Sequence, residues 1–414
     1  MPSARIHEAI VKELNKEYKM DEILLRIGTV APDSWRNVKN KTEKDKFLTH
    51  FWDFRIKSGQ ANNYEEFYIK YYSYLDNPFY FGYLIHLIVD QYWKTYIDPK
   101  FLMSKDNIKG FRLPNGEFKE NKDWYGYFES IKIQKQLSEY YHLDKLPTKI
   151  EGFTCAISEL DLSGLFGESG TLNYINKTLS PDGKSEKSEL YPLDDIIKYI
   201  NETTKVVKKE LKTLKAKKEI YDKKIKIAVD IDDTLLCTKE LEDYYWQEFL
   251  KNNPEIDPNH KYVWGDKELA DFWAQYREKM AFGSVKEGAP SALNKMNEKG
   301  YIIDLLSARP IEKYENLRKK LVEHFEQNNI NYNFMHLGFY RKQDFLKEHN
   351  YNILIDNNIK YIEEANSIGM QTILYGKYNP DYQGVQTNNW NDIPKIIDDM
   401  LKKIKNLKNI RKFR

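Results

Sequence analysis

The sequence predicts a multidomain chain, with an all-α N-terminal domain followed by an α/β domain whose parallel sheet is flanked by helices and carries a small helical cap. Three observations predict it. Helical stretches bearing His and Asp fill the first 145 residues. Four apolar strand patterns, each ending in polar or charged residues, punctuate the second half. An aromatic-rich segment of helical periodicity separates the first two of those strands. A length of 414 residues accommodates two or three domains, and 41% hydrophobic residues allow each a core.

The most informative segment is KIKIAVDIDDTLL, Lys224 to Leu236, where an apolar strand runs into Asp230, Asp232, Asp233 and Thr234. Carboxylates at the carboxyl end of a strand lie where open α/β sheets bind ligands. A turn there aims Asp230 and Asp232 at one point and suits a hard cation with a phosphate. In chemical terms Asp230 is the candidate nucleophile toward phosphorus and Asp232 the acid that protonates the leaving oxygen, with Mg²⁺ screening the negative charge. A calcium loop starting at Asp230 is excluded, because Leu235 and Leu241 stand where it needs Gly and Glu. A solvated strand end is the plain alternative.

Further along, VKEGAPSALNKMNEKG forms a helix stopped by Gly300, and the apolar strand Tyr301 to Leu306 then delivers Ser307, whose hydroxyl suits a phosphoryl oxygen. Arg309 offers a charge-assisted contact, although an arginine after a strand is commonly a surface residue. NFMHLGFYRK supplies a short strand with Lys342 beyond it, and YNILIDNN another ending in Asp356, Asn357 and Asn358. These four stations resemble the haloacid dehalogenase (HAD) superfamily of aspartate-nucleophile phosphatases, over roughly Lys223 to Leu401. The resemblance implies a Rossmann-like sheet, Asp230 as nucleophile and Asp232 as general acid/base. It also implies Ser307 and Lys342 as phosphoryl contacts, and Mg²⁺ on Asp230, Asp356 and the backbone carbonyl of Asp232. Lys347 competes with Lys342 for the third station.

Between the first and second stations lie Tyr244, Tyr245, Trp246, Trp264, Phe272, Trp273 and Tyr276, in a cap expected at about 236–286. With FWAQYREKM and VKEGAPSAL, this segment resembles the 5'(3')-deoxyribonucleotidase branch, which implies a nucleotide substrate stacked on cap aromatics. The same rings equally suit the cap's own core. Asn357 departs from that branch, which often carries a second aspartate there.

The first half holds a different constellation: His7, Asp33, His50, and the pair His86 and Asp90. His86 and Asp90 are four apart on an apolar helix, so they share one face and can clasp a metal. Imidazoles and carboxylates together make zinc or another divalent metal the first candidate. Singly, each has an ordinary reading as a surface polar residue, a helix N-cap or a core histidine. Together they resemble the zinc-dependent phospholipase C family over roughly Met1 to Leu143, and the resemblance implies these five as metal ligands. The sequence departs from the secreted members in lacking their processed N-terminal amine and later His plus Glu. Asp123 and His142 are the only obvious late candidates, and one or two metals are expected in place of a full cluster.

Residues 1–145 are therefore read as the helical domain, 146–222 as a linker with a connecting helix, 223–404 as the phosphatase-like domain and 405–414 as a basic tail. The 65 basic and 63 acidic side chains leave a formal charge of +2, which carries no strong nucleic-acid signature. Cys155 and Cys237 give no disulfide framework. No signal peptide or apolar run of spanning length is evident, so a cytoplasmic location is expected. Three functions follow. The first is a Mg²⁺-dependent phosphomonoesterase fused to a metal-binding domain that cleaves phosphodiesters. The second is the same phosphatase with a regulatory or oligomerising metal-binding domain. The third is a non-catalytic binding protein. The partner expected is a small phosphorylated substrate.

Overall fold

The structure, a computed structural model, describes residues 3–412 apart from 39, 56–61, 158, 161, 179–185, 260–265 and 315, so Trp264 lies outside the described residues. The chain divides into two units, Met1–Lys218 and Glu219–Arg414. No helix among the described residues is long and apolar enough to cross a membrane.

The first unit is built on helices α1 (Ala4–Tyr18), α2 (Glu22–Val30), α3 (Glu43–Thr49), α4 (Tyr64–Lys70), α5 (Pro78–Tyr92) and the short α6 (Asp98–Phe101), followed by α7 (Tyr125–Tyr140), α8 (Thr171–Thr178) and α9 (Leu193–Lys223), whose end from Glu219 belongs to the second unit. Local chemistry sets their ends. The Asp21 carboxylate accepts the Leu24 N–H at 2.7 Å to start α2. Asn77 caps α5, with Pro78 at the first helical position. Helix α5 is apolar almost all round and is buried from Phe79 to Asp90, as a central helix should be.

Helices α2 and α5 pack closely because each presents a glycine to the other's backbone. A Cβ on Gly82 would lie 2.2 Å from the Leu25 carbonyl oxygen, and one on Gly28 2.1 Å from that of Phe79. No side chain fits at either position.

An all-α first domain was the expectation, and the structure corrects it with an antiparallel sheet of β1 (Leu102–Lys105), β2 (Ile108–Arg112) and β3 (Phe118–Glu120). The cause is local. Asp106 and Asn107, the two residues between β1 and β2, both have positive φ, 52° and 64°. That pairing matches the twist of a two-residue hairpin. The strands are short and mostly exposed, so no apolar alternation announces them.

The segment read as a linker also behaves otherwise. Leu146, Leu165, Leu172, Ile196, Ile200, Val207 and Leu214 all belong to the first unit's core. Along α9 the apolar residues recur at three and four positions and bury one face.

The second unit carries a six-stranded parallel sheet in the order β6-β5-β4-β7-β8-β9. Its strands are β4 (Lys226–Val229), β5 (Ile302–Ser307), β6 (Met335–Leu337), β7 (Ile353–Asp356), β8 (Gln371–Tyr375) and β9 (Val385–Thr387). β4 pairs with β5 on one side and β7 on the other, so the chain order reverses beside it. Such a switch point opens a crevice at the carboxyl ends of the strands.

Helices α10 (Lys239–Asn252) and α11 (Lys267–Met280) pack around Phe249, Phe272, Tyr276 and Met280 to form a small body between β4 and β5. The remaining helices are α12 (Ala289–Glu298), α13 (Leu317–Gln327), α14 (Lys342–Glu348), α15 (Ile359–Ser367) and α16 (Ile393–Lys412), the last running into the basic tail.

Candidate active site and candidate metal centre

At the end of β4 the Asp230 N–H donates to the Ile355 carbonyl at 2.9 Å, continuing the ladder while the side chain reaches the crevice. The chain then turns. Asp233 adopts a left-handed conformation, φ 55°, and its carboxylate accepts the N–H groups of Thr238 and Lys239 at 3.0 and 2.6 Å. Asp233 thus caps the approach to α10 and leaves Asp230 and Asp232 to the crevice. Thr234 ties this turn to the end of β7, accepting the Asn357 N–H at 2.9 Å. Trp390, fully buried, donates its indole N–H to the Thr234 carbonyl at 2.9 Å.

Lys342 is expected beyond strand β6, and the structure makes it the first residue of α14. Its buried ammonium donates to Asp230 Oδ1 at 2.5 Å and to Asp356 Oδ2 at 2.7 Å. Lys347, the competing candidate, is exposed. Asp356 also accepts the Asn358 N–H at 2.8 Å. Burial pushes Asp230 up to about 7, with the Asp356 charge adding and Lys342 opposing. Burial raises Asp356 as well. The ammonium is held protonated by the two carboxylates, which outweigh its own burial.

Asp232 points elsewhere. Its side chain is 41% exposed and lies in the fork of Arg309, which is 4% exposed. Arg309 Nη2 is 2.7 Å from Asp232 Oδ1, and Nε is 2.9 Å from Oδ2. Burial would raise the carboxyl, but the guanidinium outweighs it and holds Asp232 below the usual range. Ser307, buried at the end of β5, accepts the Arg309 N–H at 3.2 Å and its hydroxyl lies 3.5 Å from Asp232 Oδ2. Arg309, for which the sequence left both a charge-assisted contact and a surface position open, therefore lies buried within the candidate site. Burial behind a strand end has no signature in sequence.

The donors suit a hard divalent cation. Two buried carboxylates, Asp230 and Asp356, share one ammonium ion and retain an uncompensated negative charge. Oxygen is the only donor element they offer, as Mg²⁺ prefers. With its carboxylate engaged by Arg309, Asp232 can contribute only its backbone carbonyl.

In the first unit, His7, Asp33, His50, His86 and Asp90 come together from α1, the turn after α2, the end of α3, and α5. All five are buried. His7 Nε2 lies 3.3 Å from Asp90 Oδ1, His50 Nε2 3.5 Å from Asp90 Oδ2, and His86 Nε2 3.4 Å from His50 Nε2. The rings of His7 and His86 stack at 4.0 Å. Two donor sets have all their atoms within 4.8 Å of one another: His7, His86 and Asp90, and Asp33, His50 and His86.

Second contacts orient the rings. His86 Nδ1 donates to the Thr29 carbonyl at 2.8 Å and His50 Nδ1 to the Lys46 carbonyl at 3.1 Å. Each Nε2 lone pair is thereby turned inward, the arrangement metal-binding imidazoles use. Burial lowers His50 and, with His7 beside it, pushes His86 down to about 3. Neutral imidazoles are what a metal needs. His7 Nδ1 and Asp33 Oδ1 are buried without a hydrogen-bond partner among the described residues, an expensive state that a bound ion would relieve. Asp123 is not among these donors; it is exposed in the loop before α7.

No protein-family model and no curated protein matches the sequence. Solved structures do show likeness. A haloacid dehalogenase-like hydrolase from Streptococcus pneumoniae is 13% identical, with 42% of this chain and 98% of that chain covered at a TM-score of 0.34. A HAD-superfamily hydrolase of subfamily IA from Geobacter sulfurreducens is 8% identical, over 42% of this chain and 99% of that one, at 0.32. CbbY from Rhodobacter sphaeroides, solved in complex with phosphate, is 12% identical over 41% and 95%, at 0.30. Likeness of this degree carries no weight for the chemistry, which stands on the side chains described above.

Proposed function

We propose that the second unit hydrolyses phosphate monoesters, with Asp230 as the nucleophile. One observation carries the reading: Asp230 ends the central strand of a parallel sheet, buried beside Lys342 and Asp356, with Ser307 and Arg309 at the adjoining strand end. Asp230, the Asp232 carbonyl and Asp356 would hold Mg²⁺, which when bound neutralises the carboxylate pair and keeps Asp230 ionised.

A phosphoryl dianion competes with Asp232 for the fork of Arg309. Its oxygens also meet the Ser307 hydroxyl and the Lys342 ammonium. Released from Arg309, the Asp232 carboxylate takes up a proton from solvent and becomes the proton carrier. An Asp230 oxygen attacks phosphorus as the bond to the leaving oxygen breaks, and Asp232 gives that oxygen a proton. Water then attacks the aspartyl phosphate, Asp232 takes its proton, and inorganic phosphate leaves. A nucleotide is one substrate this scheme accommodates, and Trp273 is the aromatic of the second unit's cap that lines its cavity beside Asp232.

The test is phosphate release from nucleoside monophosphates, sugar phosphates and a chromogenic monoester with Mg²⁺, wild type against Asp230→Asn. Release should vanish in the variant. Equal release by both proteins rules the reading out.

For the first unit, we propose a divalent metal, zinc foremost, on the five buried ligands, and cleavage of phosphodiesters there. A cavity of about 620 Å³ reaches Asp33 and Arg36 and supports substrate access to that site. Metal-dependent hydrolysis of a chromogenic diester that disappears in His50→Ala is expected. Metal binding with no diester turnover leaves the site structural or regulatory.

A further inference from the structure

Beside Asp232 lies a cavity of about 260 Å³ lined by Trp273, Arg277, Arg309, Tyr314 and Tyr340, with Asp233 and Glu242 also on its wall. Its two arginines are in different states. Arg309 is committed to a carboxylate. Arg277, among the described residues, makes neither an ion pair nor a hydrogen bond with any group. What it does make are face contacts: its Cζ lies 5.6 Å from the Trp273 ring centroid and 5.8 Å from that of Tyr314.

Stacking occupies the faces of a guanidinium and leaves its N–H donors, which lie in the plane, directed around the rim. A planar fork of this kind matches the two oxygens of a carboxylate or phosphate. The reacting phosphoryl group belongs beside Asp230, at the strand ends. Arg277, on α11, lines the same cavity as Asp232, the residue assigned to protonate the leaving oxygen.

We propose that Arg277 receives a second anionic group, a carboxylate or a phosphate, carried by the leaving portion of the substrate. This assigns a substrate class, dianionic esters with a distal acid, and it rests on the phosphomonoesterase reading of the second unit. Trp273 and Tyr314, whose rings lie beside it, act with it as positioning residues.

The experiment compares phenyl phosphate with 4-carboxyphenyl phosphate in wild type, Arg277→Lys and Arg277→Ala. The readout is the ratio of kcat/KM for the carboxylated ester to that for phenyl phosphate. Loss of a charge-assisted fork should lower this ratio about 10- to 100-fold in Arg277→Ala, mainly through KM, with Arg277→Lys in between. In parallel, 4-carboxybenzylphosphonate, which is not hydrolysed, is titrated calorimetrically, and its affinity relative to benzylphosphonate should fall by a similar factor. An unchanged ratio in both measurements overturns the proposal, whatever the absolute rates do. If wild type turns over neither ester while the phosphonate preference is present and lost in Arg277→Ala, the anion site stands and the hydrolase reading fails.

Discussion

Arg309 holds both oxygens of Asp232, with Nη2 at 2.7 Å and Nε at 2.9 Å, at the mouth of the crevice where Asp230 lies. The pair keeps a candidate proton donor ionised until an incoming anion takes the guanidinium. Arg309→Lys retains the charge but loses the fork. A drop in kcat/KM for phosphate monoesters of about 10- to 100-fold is expected, from the roughly 1.5–3 kcal/mol that hydrogen bonds to charged groups contribute. Steady-state kinetics on a chromogenic monoester checks it; an effect within twofold would show that Arg309 does not meet the phosphoryl group.

Among the described residues, Lys342 is the one ammonium between two buried carboxylates, Asp230 and Asp356. Lys342→Met removes the partner and leaves both charges in place. Breaking a buried pair in this way costs about 3–5 kcal/mol. Urea unfolding in the presence of a chelator should show a loss of that order, together with loss of turnover in Mg²⁺. A variant as stable as wild type would place the ammonium outside the electrostatic frame of the site.

The proposed metal ligands of the first unit depend on a close helix crossing. Gly82→Val would force α5 away from the Leu25 carbonyl and part His86 from Thr29. Overpacking alone costs about 1–3 kcal/mol. Elemental analysis should find less zinc per chain in Gly82→Val than in wild type, and least in His86→Ala. Full metal content in His86→Ala would mean that the ion sits elsewhere.

Asp304, buried in β5, accepts the hydroxyls of Tyr221 and Tyr351 at 2.5 and 2.6 Å. Burial lifts its carboxyl to about 6, from 3.8. The protonated form is thus favoured in the folded state. Its contribution is full below the unfolded value and is lost as pH rises through about 6, to the extent of roughly 3 kcal/mol. Asp304→Asn cannot ionise, so its unfolding free energy should vary less between about pH 4 and pH 7. Identical pH slopes in denaturant titrations of the two proteins would contradict this.

Sequence alone located what depends on neighbours along the chain. The four strand ends carrying Asp230, Ser307, Lys342 and Asp356 were legible because apolar strands in a parallel sheet read as continuous runs, and their polar ends stand out. The clustering residues His7, Asp33, His50, His86 and Asp90 were legible for a related reason, since a His or Asp on an apolar helix is conspicuous. The hairpin at Asp106 and Asn107 was not legible, because its strands are short and mostly exposed. Nor was the packing of residues 146–222, where Gly- and Ser-rich loops mask apolar positions that find partners only in three dimensions.

Tertiary structure decided the rest. It put Lys342 between two carboxylates, buried Arg309 against Asp232, and left Arg277 beside the rings of Trp273 and Tyr314 with no ion pair among the described residues. A charged side chain looks the same in sequence whether it is solvated or buried. Its environment is set by residues tens of positions away, and that environment fixes whether it is paired, neutral or available to a ligand.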